Sequence, residues 1–163
     1  MIKLWHRTKW WLFPGIVVFA GLGVWAGGHV SLFFGNPAAN KDTKAAGALM
    51  LVQVTGCATP ESVTVRATAE GIVDGQRRSV PLETVRLGKP EQLAVTGSLP
   101  EAGRWVLSVT AKWTGQDQYY LVPLAPDGGP LRSRIRNHQA PFRTADVEAT
   151  IRETPLLMTQ ARK

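Results

Sequence analysis

Two hydrophobic patterns divide the chain. Residues 10–34 form an apolar run without a charged residue. At about 1.5 Å per residue, a helix through it is long enough to cross a hydrocarbon core ~30 Å thick with some tilt. Beyond residue 48 the pattern becomes period two. Val63, Val65, Ala67 and Ala69 alternate with Thr64, Arg66, Thr68 and Glu70, as on a strand with one packed and one wet face. Trp105, Leu107, Val109, Ala111 and Trp113 share a face of a second long strand at 104–113. Shorter strand signals fall at 49–55, 76–85, 93–96 and 118–124.

Turn chemistry joins these strands. Asp74-Gly75 is a two-residue hairpin signal, because both central positions of a type I′ turn need positive φ. Pro81 cannot donate to a ladder and marks 76–85 as an edge strand. Short strands with frequent turns and no intervening helix predict an antiparallel sandwich. After Leu124 the segment 131–143 is strongly basic. A short helix is expected at 144–153, with Thr144 as N-cap, Asp146 and Glu148 in its first turn, and Pro155 ending it. The chain therefore divides into a basic N-terminus (1–9), a transmembrane helix (10–34), a linker (35–47), a β-sandwich (48–124) and a basic tail with a short helix (125–163).

Charge sets the orientation. Lys3, Arg7 and Lys9 precede the apolar run with no acid among them, so the N-terminus stays cytoplasmic and the domain is exported. That places the protein in the inner membrane as a single-pass chain with an extracytoplasmic domain. Trp10 and Trp11 suit the headgroup belt. A cleaved signal peptide has a shorter apolar region and a small-x-small site, whereas Phe33-Phe34-Gly35-Asn36-Pro37 follows here and Asn36 spoils an Ala-x-Ala reading. Val54-Thr55-Gly56-Cys57 has the shape of a lipoprotein box, with Lys41 and Lys44 ahead of it. A full membrane segment already precedes it, and the stretch reads equally well as a first strand. Cys57 is the only cysteine, so no internal disulfide forms, and it reads as a small buried hydrophobe.

Candidate chemistry is sparse. His6, His29 and His138 have no Cys, Asp or Glu at ligand spacing. Met50 and Met158 with Cys57 would suit Cu(I), but no spacing favours it. There is no Gly-x-Ser-x-Gly elbow and no phosphate-cradling loop. No enzyme activity and no cofactor are expected. Nucleic acid is a poor partner despite the net charge of +7, because three basic residues precede the membrane and the domain faces away from the cytoplasm.

Two features stand out. Arg132, Arg134, Arg136 and His138 are spaced by two, so on a strand they share one face. Such a ladder can meet an acidic partner or anionic lipid, or merely protect an edge from pairing. Gly23 and Gly27, four apart with His29 after them, favour association with another membrane helix.

Gly103-Arg104-Trp105-Val106-Leu107-Ser108-Val109-Thr110 resembles the Gly-x-aromatic-x-Leu-x-Val strand of bacterial immunoglobulin-like and fibronectin-like domains. The Cys…Trp…Cys framework of antibody domains is absent. The layout is also similar to the membrane-tethered FixH and YtkA groups, accessory proteins of respiratory and metal-handling systems. The resemblance implies a mainly β chain: one N-terminal transmembrane helix, an antiparallel Ig-like β-sandwich and a short C-terminal helix. The expected function is a non-catalytic anchored accessory or assembly protein, contacting subunits of a larger membrane complex. The lipid bilayer is met through residues 10–34. The alternative is a tethered module that binds a metal ion or small molecule for a transporter.

Overall fold

The architecture follows from the alternation just described. A computed structural model describes residues 29–56, 58–99 and 103–157. Gly23, Gly27, His6, Cys57 and Met158, and the expected membrane segment as far as residue 28, lie outside the described residues. Eight antiparallel strands form one curled sheet: β1 (Val30–Gly35), β2 (Ala48–Gly56), β3 (Thr64–Val73), β4 (Gln76–Arg86), β5 (Gln92–Thr96), β6 (Arg104–Trp113), β7 (Gln116–Pro123) and β8 (Arg136–His138). Their order is β1-β2-β5-β4-β3-β6-β7-β8. Two α-helices, α1 (Lys41–Ala45) and α2 (Thr144–Glu153), and 3₁₀ turns at Pro37–Ala39, Pro60–Ser62 and Arg132–Arg134 accompany the strands.

β4 lets the sheet turn on itself. Its first part, Gln76 to Leu82, pairs with β3, and its last part, Glu83 to Arg86, pairs with β5. Pro81 therefore does not mark an outer strand. It lies where β4 has a ladder on one side only, opposite Thr68, so its missing N–H breaks no bond. The two halves of the sheet share a core. Met50, Val52 and Val54 of β2, Val65, Ala67 and Ala69 of β3, and Trp105, Leu107 and Val109 of β6 all belong to it. The two long strands pair directly, with Ala67 opposite Val109 and Ala69 opposite Leu107. Gly71 lies opposite Trp105. A Cβ there would come 2.4 Å from the indole ring, so only glycine admits Trp105 at this depth. The hairpin also forms as expected, Asp74 at φ 50° and Gly75 at φ 76°.

The structure departs from the sequence reading at both ends of the domain. Residues 30–34, assigned by hydropathy to the membrane span, are part of β1. Val30, Leu32 and Phe34 point into the core while Phe33 is 64% exposed. An apolar residue on the outward face erased the alternation that would have marked the strand. The supposed linker 35–47 contains a 3₁₀ turn and α1, and Thr43 in it is fully buried.

The tail is likewise part of the domain. β8 extends the sheet beside β7, and Val147 and Ile151 of α2 pack on Val106 and Leu121 from the outer face. The helix spans the expected residues, but Arg143 rather than Thr144 is its N-cap, with no side-chain cap bond. Asp146 instead pairs with Arg143 at 3.1 Å.

Among the described residues no helix is long and apolar enough to cross a membrane.

Candidate functional site

The basic segment predicted as a one-faced strand is built differently. Arg132 and Arg134 lie in a 3₁₀ turn, Arg132–Arg134, and only Arg136 and His138 are on β8. Leu131 donates its N–H to the Pro123 carbonyl at 2.8 Å. The 3₁₀ turn that follows takes up Arg132 to Arg134, so β8 begins only at Arg136 and cannot line up all four side chains.

Two of the arginines close instead on α2. Arg134 donates from Nη1 to the Glu153 carbonyl at 2.8 Å. Arg136 donates from Nη1 to Thr150 Oγ1 at 3.3 Å, with its guanidinium 5.6 Å from the centre of the Phe142 ring. A third guanidinium, not singled out from the sequence, joins them: Arg104, at the start of β6, donates to the Arg152 and Thr154 carbonyls. The last turn of a helix leaves carbonyls without intrahelical donors and carries partial negative charge. Cationic side chains satisfy both. The sequence signal was present in α2's predicted end, but nothing local says which of nineteen basic residues reaches it.

Between these elements lies an open cleft of about 510 Å³, lined by Arg134, Arg136, Thr150, Glu153 and Thr154. Among the described residues no ion pair joins Arg104, Arg134 or Arg136 to a carboxylate. The acids of α2 are mostly engaged elsewhere: Asp146 with Arg143, and Glu148 with Arg77 and Arg152. The Arg143 guanidinium holds the Asp146 carboxyl below the usual carboxylate range, with a smaller contribution from the charge of Arg136. The Thr150 hydroxyl donates to the Asp146 carbonyl and that of Thr154 to the Thr150 carbonyl, both at 2.7 Å. The arrangement suits an anionic group held by guanidinium forks.

The other predicted residues lie apart from this cleft. Arg132 is exposed, on the same turn but without a hydrogen bond to α2. His138 is exposed, and its Nδ1 accepts the Ala140 N–H at 2.9 Å. His29 is exposed one residue before β1, at the entry to the domain. Its carbonyl lies so close to Gly56 that a Cβ there would stand 2.0 Å from the oxygen.

Among the described residues, a cation without a carboxylate also appears at the opposite end of the sheet. Arg86 donates to the carbonyls of Pro90, Pro60, Glu61 and Val63, tying the β4–β5 turn to the loop before β3. No groups of three His, Cys, Asp or Glu that could hold a metal ion occur among the described residues. A scan against protein-family models, a search of curated proteins and a search of solved structures each find no match.

Proposed function

We propose that this chain is a non-catalytic, membrane-anchored accessory or assembly protein. Its exported domain, read as an Ig-like β-sandwich, makes contacts within a larger membrane complex. The observation that carries this reading is the junction at His29. Residues 10–28 remain uncharged and apolar after β1 is assigned to the domain. Those 19 residues still reach about 28 Å as a helix, near the thickness of a hydrocarbon core. Lys3, Arg7 and Lys9 ahead of them favour a cytoplasmic N-terminus.

The same junction argues against two other processing routes. Cleavage near Ala39 would remove β1, and cleavage before Cys57 would remove β1 and β2. Either would strip Phe34 and its neighbours from the core. With β1 in the domain, no long linker separates it from the apolar segment, so the domain would stand directly on the bilayer.

Purification of the full chain in mild detergent, with identification of what accompanies it, tests the reading. A membrane-protein subunit at fixed stoichiometry is expected. Recovery of the chain alone, or with stoichiometric metal in the domain, contradicts it.

A further inference from the structure

Resting on the accessory-protein reading, we infer that the cleft between the Arg132–Arg134 turn and α2 receives an acidic segment of the partner protein. The guanidiniums of Arg134 and Arg136 would hold one of its carboxylates. Both are already oriented, Arg134 by the Glu153 carbonyl and Arg136 by Thr150 Oγ1 and the Phe142 ring. Each of these bonds uses one Nη1, while a guanidinium presents five N–H donors in a rigid fork. The helix-end carbonyls are occupied by Arg104 and Arg134, so their partial charge opposes an incoming anion less. Among the described residues that line the cleft, Glu153 is the one acid, against two arginines. A volume of about 510 Å³ exceeds the needs of one small ion and falls in the range of ligand clefts.

Position selects protein over lipid. Val30 pairs with Gly56, and the Pro60–Ser62 turn follows directly toward Thr64, which lies opposite Lys112. The chain therefore enters the domain at the end that carries the β6–β7 turn. The arginine segment begins at the other end of β7, where Leu131 bonds Pro123. The eight residues of β7 separate the two ends by about 25 Å, at roughly 3.3 Å per residue. If residues 10–28 cross the bilayer, the cleft faces away from the headgroups and is open to a protein neighbour.

The test uses the full chain in nanodiscs of zwitterionic lipid and a fluorescent hexaglutamate peptide. Saturable binding is expected. Arg134→Gln and Arg136→Gln should each weaken it about two- to fivefold, as losing one partner of an exposed ion pair does. Arg132→Gln should leave it unchanged. Because Arg134 also holds α2, Arg134→Lys is measured too. It keeps the charge without the fork and should weaken binding while α2 amides stay protected from hydrogen exchange.

Equal loss with Arg132→Gln would reduce the effect to diffuse charge and overturn the inference. Competition by inorganic phosphate, or tighter capture by phosphatidylglycerol vesicles through the same two arginines, would overturn the choice of a protein carboxylate. The two readings fail separately. Partner recovery undiminished in Arg134→Gln and Arg136→Gln removes the cleft and leaves the accessory protein. Peptide binding with nothing copurifying does the reverse.

Discussion

The Tyr120 hydroxyl accepts the main-chain N–H of Leu32 at 3.1 Å in the interior, across 88 positions of sequence. Leu32 is on β1, the outermost strand of one half of the sheet, and Tyr120 is on β7 in the other. The ring also meets Phe34 edge-on, 5.3 Å between centroids. One side chain thus satisfies a donor on β1's free edge and closes the core over it. Tyr120→Phe keeps the ring and leaves that amide without its partner. It should cost about 1–3 kcal/mol, the penalty of an unsatisfied buried donor, measured by denaturant unfolding of the full chain. A loss indistinguishable from zero would mean that water or another acceptor replaces the hydroxyl.

The same tyrosine should shape the alkaline limb of the stability curve. Burial raises its pKa above the ordinary 10.0, outweighing the opposite effect of the Leu32 hydrogen bond. A group whose folded pKa exceeds its unfolded one contributes fully below the unfolded value and loses that contribution as pH rises through the folded value. Wild-type stability should therefore fall above about pH 10, and Tyr120→Phe should flatten that fall. The acid limb has other causes. Asp117, through Lys112 and Tyr119, and Asp146, through Arg143, are held below 3.8, so their small surface contributions disappear only as pH drops below that value. An alkaline limb unaltered by Tyr120→Phe would contradict the assignment.

Trp105 is fully buried against Gly71. Trp105→Ala should destabilise the domain by about 3–5 kcal/mol. Gly71→Ala should cost about 1–3 kcal/mol through overpacking. In the double mutant the losses should fall short of their sum, because the space vacated by the indole accepts the added methyl. Additive losses would show that the indole is not what makes Gly71 necessary.

Much of this core was legible because the inward residues of β3 and β6 alternate with mostly polar ones, Val106 under α2 excepted, and because Asp74-Gly75 can make few other turns. β1 was hidden for a physical reason. Phe33 is outward but apolar, so all of β1 except Gly35 read as a continuation of the preceding hydrophobic run. The candidate site was half legible. Charge picked out Arg134 and Arg136, but their acceptors on α2, the Glu153 carbonyl and the Thr150 hydroxyl, have no sequence signature. Arg104 was missed because it opens a strand whose other residues point to packing.

α2 depends on those contacts. Arg104 and Arg134 each donate to its final carbonyls. Replacing both by Met should raise hydrogen exchange throughout 144–153 while leaving β3 and β6 protected, with a total loss of about 1–3 kcal/mol, since exposed contacts contribute modestly. Unchanged protection of α2 would show that Val147 and Ile151 hold the helix without them.

In the proposed topology an intact apolar segment joins the cytoplasmic N-terminus directly to β1. The most direct measurement is the intact mass of the protein from the carbonate-washed membranes of expressing cells, with a reporter fused after Lys163. The predicted result is a membrane-retained chain that keeps residues 1–28, with the reporter exported. A soluble protein whose first residue lies between Ala26 and Val30 would contradict the anchor while leaving the domain whole.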